Sequence, residues 1–133
     1  ASIPVTTRGY GGSFAVATAH RAADGSDPVD WEALARMDTL VVLMGVDRLA
    51  EVVERLRASG RSAETPIALI ENGTLPSERV VAGTLADIVE AARRERVGSP
   101  AVIVVGEVVR LRDRLAATTA TAFRALEEER DVA

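Results

Sequence analysis

The chain has no cysteine and no lysine, and each absence closes off a class of chemistry. Without cysteine there is no disulfide, no thiolate metal ligand and no thiol nucleophile. All 16 Lys+Arg positions are arginine, so neither a Schiff-base lysine nor a P-loop lysine exists. Aromatic residues make up only 3% of the sequence, and the arginines are scattered among 20 acidic residues for a net charge of −4. Nucleic acid is therefore not an expected partner: there is no basic stripe to track phosphates, and few rings on which bases stack. His20 is the single histidine, so no pair of imidazoles exists to share a metal, and its place at a strand end reads as structural. Apolar runs such as residues 100–106 are far shorter than a membrane span. No charged segment followed by an apolar signal region opens the sequence. The expectation is a soluble, cytoplasmic protein without a membrane partner.

What is present is a core-forming composition. With 133 residues, 47% hydrophobic and 27% charged, residues 1–133 are expected to form one domain whose core is Val, Leu, Ile and Ala. Residues 1–13, rich in Gly, Ser and Thr, read as a lead-in loop. Residues 14–19 read as a first strand, residues 21–29 as a surface loop, and residues 31–36 as a short helix capped by Asp30. Residues 39–44 are continuously apolar and β-branched, the pattern of a strand buried on both faces. Val46, Leu49, Val52, Val53 and Leu56 then share one helical face, and Gly60 supplies the stop.

Strands follow at residues 67–70 and 79–82. Thr84 and Asp87 have capping-box spacing and open a helix expected to reach about Arg96. Residues 101–105 form a fifth strand, and a helix over about residues 111–129 closes the chain. In that helix Leu115, Thr119, Ala122, Phe123 and Leu126 make a weak apolar stripe, and Glu127, Glu128 and Glu129 a solvated end. Strands alternating with amphipathic helices predict an α/β three-layer sandwich around a mixed, largely parallel five-stranded sheet.

Residues 66–85, PIALIENGTLPSERVVAGTL, carry the clearest sign of function. An apolar strand ends in Glu71-Asn72-Gly73-Thr74, and loops leaving strand ends are where open α/β sheets bind ligands. Gly73 allows a positive φ or close backbone approach by a ligand. Met44-Gly45 and Val105-Gly106 are further strand ends, and in a parallel arrangement all three would line one edge. Glu71 has no carboxylate partner at a spacing suited to acid–base work and reads as an organiser of the loop.

An ordered set of segments resembles the uroporphyrinogen-III C-methyltransferases. It comprises Ser2-Ile3-Pro4-Val5-Thr6-Thr7-Arg8, the Ser13-Phe14-Ala15-Val16 strand leading to His20, Val42-Leu43-Met44-Gly45, Ala68-Leu69-Ile70-Glu71-Asn72-Gly73-Thr74, Gly83-Thr84-Leu85 and Ser99-Pro100-Ala101-Val102-Ile103-Val104-Val105-Gly106. The resemblance covers about residues 2–115 and implies the C-terminal half of a two-domain fold that holds S-adenosylmethionine between its domains. It implies cofactor binding at Met44 and Gly73, flanked by Gly45 and Thr74, and substrate binding at Thr6 and Arg8. Thr7 stands where the family has histidine, and Ser2 where it has glycine. The family's glycine-rich first strand-loop, its Gly-Gly-Asp segment and its proton-transfer residues have no counterpart here, so no catalytic residue is assigned.

The parent enzyme is then expected to be a homodimer that methylates uroporphyrinogen III to precorrin-2, for sirohaem or cobalamin, and this chain alone is expected to be inactive. The alternatives are a stand-alone binding or assembly module of the same fold and a related corrinoid methylase.

Overall fold

A computed structural model describes residues 1–20 and 25–132, with side chains placed for all of these except 122, 123 and 125–132. The strands are β1 (Phe14–Thr18), β2 (Thr39–Leu43), β3 (Pro66–Glu71), β4 (Arg79–Thr84) and β5 (Ala101–Val105). The helices are α1 (Trp31–Ala35), α2 (Leu49–Ala58), α3 (Ile88–Arg94) and α4 (Arg112–Val132), with 3-10 turns at Val46–Arg48 and Glu107–Leu111. Among the described residues, no helix is long and apolar enough to cross a membrane. The expected stripe at Ala122, Phe123 and Leu126 and the acidic end Glu127 to Glu129 lie outside the described side chains, as do the first four residues of the loop expected at 21–29.

Local chemistry explains the elements. Asp30 caps α1 by accepting from the Ala33 N–H at 2.9 Å. In α2 the expected face is the buried one: Leu49, Val52, Val53 and Leu56 all enter the core. Gly60 stops the helix at φ +95°, with the Gly60 N–H on the Arg57 carbonyl and the Arg61 N–H on the Leu56 carbonyl, the pair of bonds that defines a Schellman cap. Full burial of Leu56 contributes roughly 2 kcal/mol.

The box expected at Thr84 forms only its return half. The Asp87 carboxylate accepts from the Thr84 N–H at 2.7 Å, but helical geometry begins at Ile88, after a turn over residues 85–87, and α3 ends at Arg94.

The sheet is mixed, as the alternation predicts, with order β1-β2-β5-β3-β4. Its parallel character lies in the connections rather than in neighbouring strands. Only β1 and β2 are parallel neighbours, and β5 runs antiparallel to both β2 and β3. Three helical crossovers nevertheless join strands of like direction: β1 to β2, β2 to β3 and β4 to β5. Leu40, Val42, Leu49, Leu56, Ile67, Leu69, Leu85, Ile88, Ile103 and Val105 belong to one core, which places α2 and α3 on the same face. With its helix on that face, a reversed pair of strands keeps a right-handed crossover only by stepping back across the sheet. That step carries β5 into the gap between β2 and β3, where its unbroken AVIVV run is buried. The opposite face is covered more thinly, by Val108 and Val109 of the second 3-10 turn and by Ile3 against Ala68 and Val104.

Candidate functional site

The antiparallel course of β5 decides which strand ends meet. β1, β2 and β3 finish at one edge of the sheet, and β4 and β5 begin there. Across this edge the chain presents His20, then Met44, then Ser99, Pro100 and Ala101, then Asn72, Gly73 and Thr74, then Arg79. Met44 and Gly73 are therefore brought to one edge, as expected. Gly106 is not: it closes β5 at the other edge, against Asp38. The start of β5 takes its place between the Met44 turn and the Gly73 loop, tied to the latter by an Asn72 N–H donating to the Pro100 carbonyl at 3.0 Å. Sequence reasoning missed Ser99 to Ala101 as part of the edge. A wholly apolar strand announces its central position but not its direction.

Met44 is neither strand nor core. It lies just past β2 with φ +52° and is 62% exposed. Asn72 and Thr74 also have positive φ, at +51° and +70°, a conformation that costs an L-residue about 1–2 kcal/mol. Left-handed non-glycine residues gathered at one edge are the kind of stored strain found where a backbone is shaped for a ligand. Gly73 itself does not adopt the positive φ that its identity allows; a Cβ there would stand 3.3 Å from Ile70 Cγ2, a close contact with a side chain rather than with backbone. Gly45 is buried, and a Cβ on it would approach Ile103 Cδ1 to 2.9 Å and Val42 Cγ1 to 3.0 Å. Packing between the β2 end and β5 accounts for that glycine.

Outside the strand ladders, no hydrogen bond among the described residues uses the backbone of Met44 or Gly73. The Thr74 N–H donates to Glu78 Oε2 at 2.8 Å. Exposed Leu43, Met44 and Leu75 add apolar surface. Glu71, the charged residue that directly precedes the loop, is engaged: the Arg79 guanidinium, and then the Gly98 N–H, hold its carboxyl below its ordinary pKa. The edge thus combines unpaired backbone groups and aliphatic side chains with one carboxylate, Asp47, whose Oδ2 accepts from Ser99 Oγ at 3.2 Å. Among the described residues there is no cluster of three His, Cys, Asp or Glu that could hold a metal ion.

Thr6 and Arg8 are placed elsewhere. The lead-in begins beside Glu78, with the Ala1 ammonium 2.9 Å from Glu78 Oε1, and passes Ile3 across the thinner sheet face. It then turns at the other edge, where Thr7 bridges Gly11 and Asp38 holds the Gly12 and Ser13 N–H groups. A five-residue strand spans about 15 Å, so Thr6 and Arg8 do not share the edge of Met44 and Gly73. Arg8 is exposed and enters no ion pair among the described residues.

Residues 1–89 match the family of Tetrapyrrole (Corrin/Porphyrin) Methylases. The chain belongs to this family. It is 49% identical over 115 residues to the uroporphyrinogen-III C-methyltransferase of Methanocaldococcus jannaschii, covering 85% of this chain and 47% of that protein. It is 47% identical over 117 residues to the siroheme synthase of Neisseria meningitidis serogroup C (strain 053442), covering 87% of this chain and 24% of that protein. The crystal structure of uroporphyrin-III C-methyl transferase from Thermus thermophilus, complexed with S-adenyl homocysteine, is similar with a TM-score of 0.71 at 36% identity, covering 82% of this chain and 48% of that one. The chain therefore spans about half the length of the single-function methyltransferases it matches and about a quarter of the siroheme synthases. The family drawn from the ordered motifs holds, and so does the mixed five-stranded α/β sheet.

Proposed function

We propose that this chain forms one wall of the S-adenosylmethionine cleft of a uroporphyrinogen-III C-methyltransferase, with Met44, Gly73 and Thr74 as cofactor-binding residues. The observation that carries the reading is the joint presentation, on one sheet edge, of exposed left-handed Met44 and the Asn72-Gly73-Thr74 loop, in a chain so similar to enzymes of that name. Unpaired N–H and C=O groups among aliphatic side chains suit a flat, polar-edged adenine better than charged residues would. Gly45 supports the site from beneath by letting the β2 end pack on Ile103.

When bound, S-adenosylmethionine supplies an electrophilic methyl group on a sulfonium. This chain binds and orients; Met44, Gly73 and Thr74 provide no acid, base or nucleophile, so their share of the acceleration is positioning. Arg8, exposed and without an acidic partner among the described residues, is proposed to pair with a carboxylate of the tetrapyrrole substrate, with Thr6 beside it. The remaining wall and the proton-handling groups belong to the other half of such an enzyme. We place the whole protein as a cytoplasmic homodimer.

The test is titration of this chain with S-adenosylhomocysteine, followed by backbone amide NMR. Weak binding with shifts centred on Met44, Gly73 and Thr74 is expected, with no methyl transfer to uroporphyrinogen III. Shifts confined to other amides, or none at all, overturn the assignment. Affinity equal to that of an intact methyltransferase overturns the view that the cleft is half present.

A further inference from the structure

Besides the Asn72–Pro100 backbone bond, the two backbone segments that border the candidate cleft share one carboxylate. Glu71 ends β3, pairing in register with Arg79 of β4 on one side and Ala101 of β5 on the other. Its Oε2 accepts from both Arg79 Nε and Arg79 Nη2, each at 2.6 Å. Its Oε1 accepts from the Gly98 N–H at 2.8 Å. Arg79 in turn donates to the Glu95 carbonyl at 3.1 Å and, more loosely, to the Arg96 carbonyl at 3.5 Å. The Glu71 side chain is only 13% exposed, although it lies at a strand end beside an exposed loop. Charge-assisted bonds of this kind are shorter and stronger than neutral ones.

Each contact lies at a junction. Glu71 directly precedes Asn72, Gly73 and Thr74. Gly98 directly precedes Ser99, Pro100 and Ala101, and Glu95 and Arg96 lead out of α3 into that same segment. The carboxylate and guanidinium thus clamp the exit of β3, the start of β4 and the entrance to β5, while touching none of the edge groups open to a ligand. Asn72 is the far end of the same linkage, because its N–H on the Pro100 carbonyl forms only if the two segments keep their spacing.

We propose that Glu71, held by Arg79, is a positioning residue for the cofactor site: it fixes the Asn72-Gly73-Thr74 loop against Ser99-Pro100-Ala101 so that their free backbone groups face one ligand. This rests on the cofactor reading above and adds the group that sets the geometry of that wall. Replacement of Glu71 frees the Gly98 N–H, leaves Arg79 without its carboxylate and lets the two segments separate. The strained conformations at Asn72 and Thr74 then lose part of what holds them.

The experiment compares wild type, Glu71→Gln and Glu71→Ala of this chain by amide hydrogen exchange and by S-adenosylhomocysteine titration. Exchange at Asn72, which never touches the Glu71 carboxylate, is expected to rise by roughly tenfold or more in Glu71→Ala, with amides of β1, β2 and α2 unchanged. Glu71→Gln keeps an acceptor for Gly98 and is expected to fall between. The affinity for S-adenosylhomocysteine is expected to drop by a similar factor in Glu71→Ala. A uniform rise at all amides shows a general stability role and overturns the proposal, as does unchanged exchange at Asn72 or unchanged affinity. Absence of wild-type shifts defeats the cofactor reading itself, and is seen without any variant.

Discussion

At the edge where β2 and β3 finish, non-glycine residues hold left-handed backbone and turn to solvent; at the edge where β5 finishes, glycines make room for the chain's own backbone. Met44, Asn72 and Thr74 form the first edge, with Met44 62% exposed. At the second, Gly106 takes φ +141°, and a Cβ there would lie 2.3 Å from the Asp38 carbonyl oxygen. Gly11 packs on the same residue, its virtual Cβ 2.9 Å from Asp38 Cβ. Asp38 Oδ2 accepts from the Gly12 N–H at 3.0 Å, the Ser13 N–H at 3.0 Å and Ser13 Oγ at 2.8 Å. Arg61 donates to the Ala35, Met37 and Asp38 carbonyls. These contacts tie the second edge to itself, around a cavity of about 250 Å³ lined by Asp38, Arg61 and Thr65 among others. The first holds its left-handed residues without glycine, which is why the ligand is proposed there.

The strongest way to break this contrast is Gly106→Ala. The added methyl meets backbone rather than a movable side chain, in a φ region that disfavours any L-residue. A loss of about 3 kcal/mol is expected from overpacking and strain together, read from the urea unfolding midpoint. A cost below about 1 kcal/mol would mean that the second edge yields easily and that its glycine is incidental.

Asp38 offers a smaller perturbation at the same edge. The Ser13 hydroxyl, then the Gly12 and Ser13 N–H groups, lower its carboxyl pKa. A group whose folded pKa is depressed contributes stability above its unfolded value, near 4, and that contribution disappears as pH falls through the folded value. The urea midpoint of the wild type is therefore expected to hold from neutral pH to about 5 and to decline below about 4. Asp38→Asn should start lower at neutral pH and decline less. Equal acid sensitivity in the two proteins would remove Asp38 as an anchor. Glu71 is depressed in the same direction by Arg79, so acid loosens both edges. Asp27, through Trp31, and Glu78, through the Ala1 ammonium, are lowered as well, and the double replacement Asp38→Asn with Glu71→Gln should flatten the response further than either single replacement without abolishing it.

Much of the contrast was legible in the sequence, and its limits have physical causes. Periodicity is local, so the face of α2, its Gly60 stop and the buried runs of β2 and β5 could be read directly. Strand order is not local. It follows from three crossovers sharing one helical face, and without it Gly106 was grouped with Met44 and Gly73. The same gap hid Ser99 to Ala101 and the clamp from Glu71 to Gly98, 27 residues apart. Backbone conformation was misread at single residues. Gly73 drew attention as the residue able to take positive φ, whereas its neighbours Asn72 and Thr74 take it. Met44 continued an apolar run and looked buried, yet the strand ends one residue earlier. The motif set identified the family because it needs only order and spacing, while the backbone conformation of Met44, Asn72 and Thr74 lies outside what order and spacing carry.

The smallest expected effect tests the open edge directly. Met44→Gly removes a left-handed L-residue, worth about 1–2 kcal/mol, and adds backbone freedom to the unfolded chain, which costs about 0.5–1 kcal/mol. The side chain is 62% exposed, so truncation forfeits little burial, and the terms nearly offset. A net change within about 0.5 kcal/mol is expected, with the sign favouring glycine if anything. That outcome would be out of place in a packed core, where removing a whole Met side chain costs more than the roughly 2–5 kcal/mol of truncation to Ala. A loss above about 1.5 kcal/mol in the urea midpoint analysis would mean that Met44 is held by packing after all. Its strained backbone would then be a by-product of the fold, and the difference between the two edges would vanish.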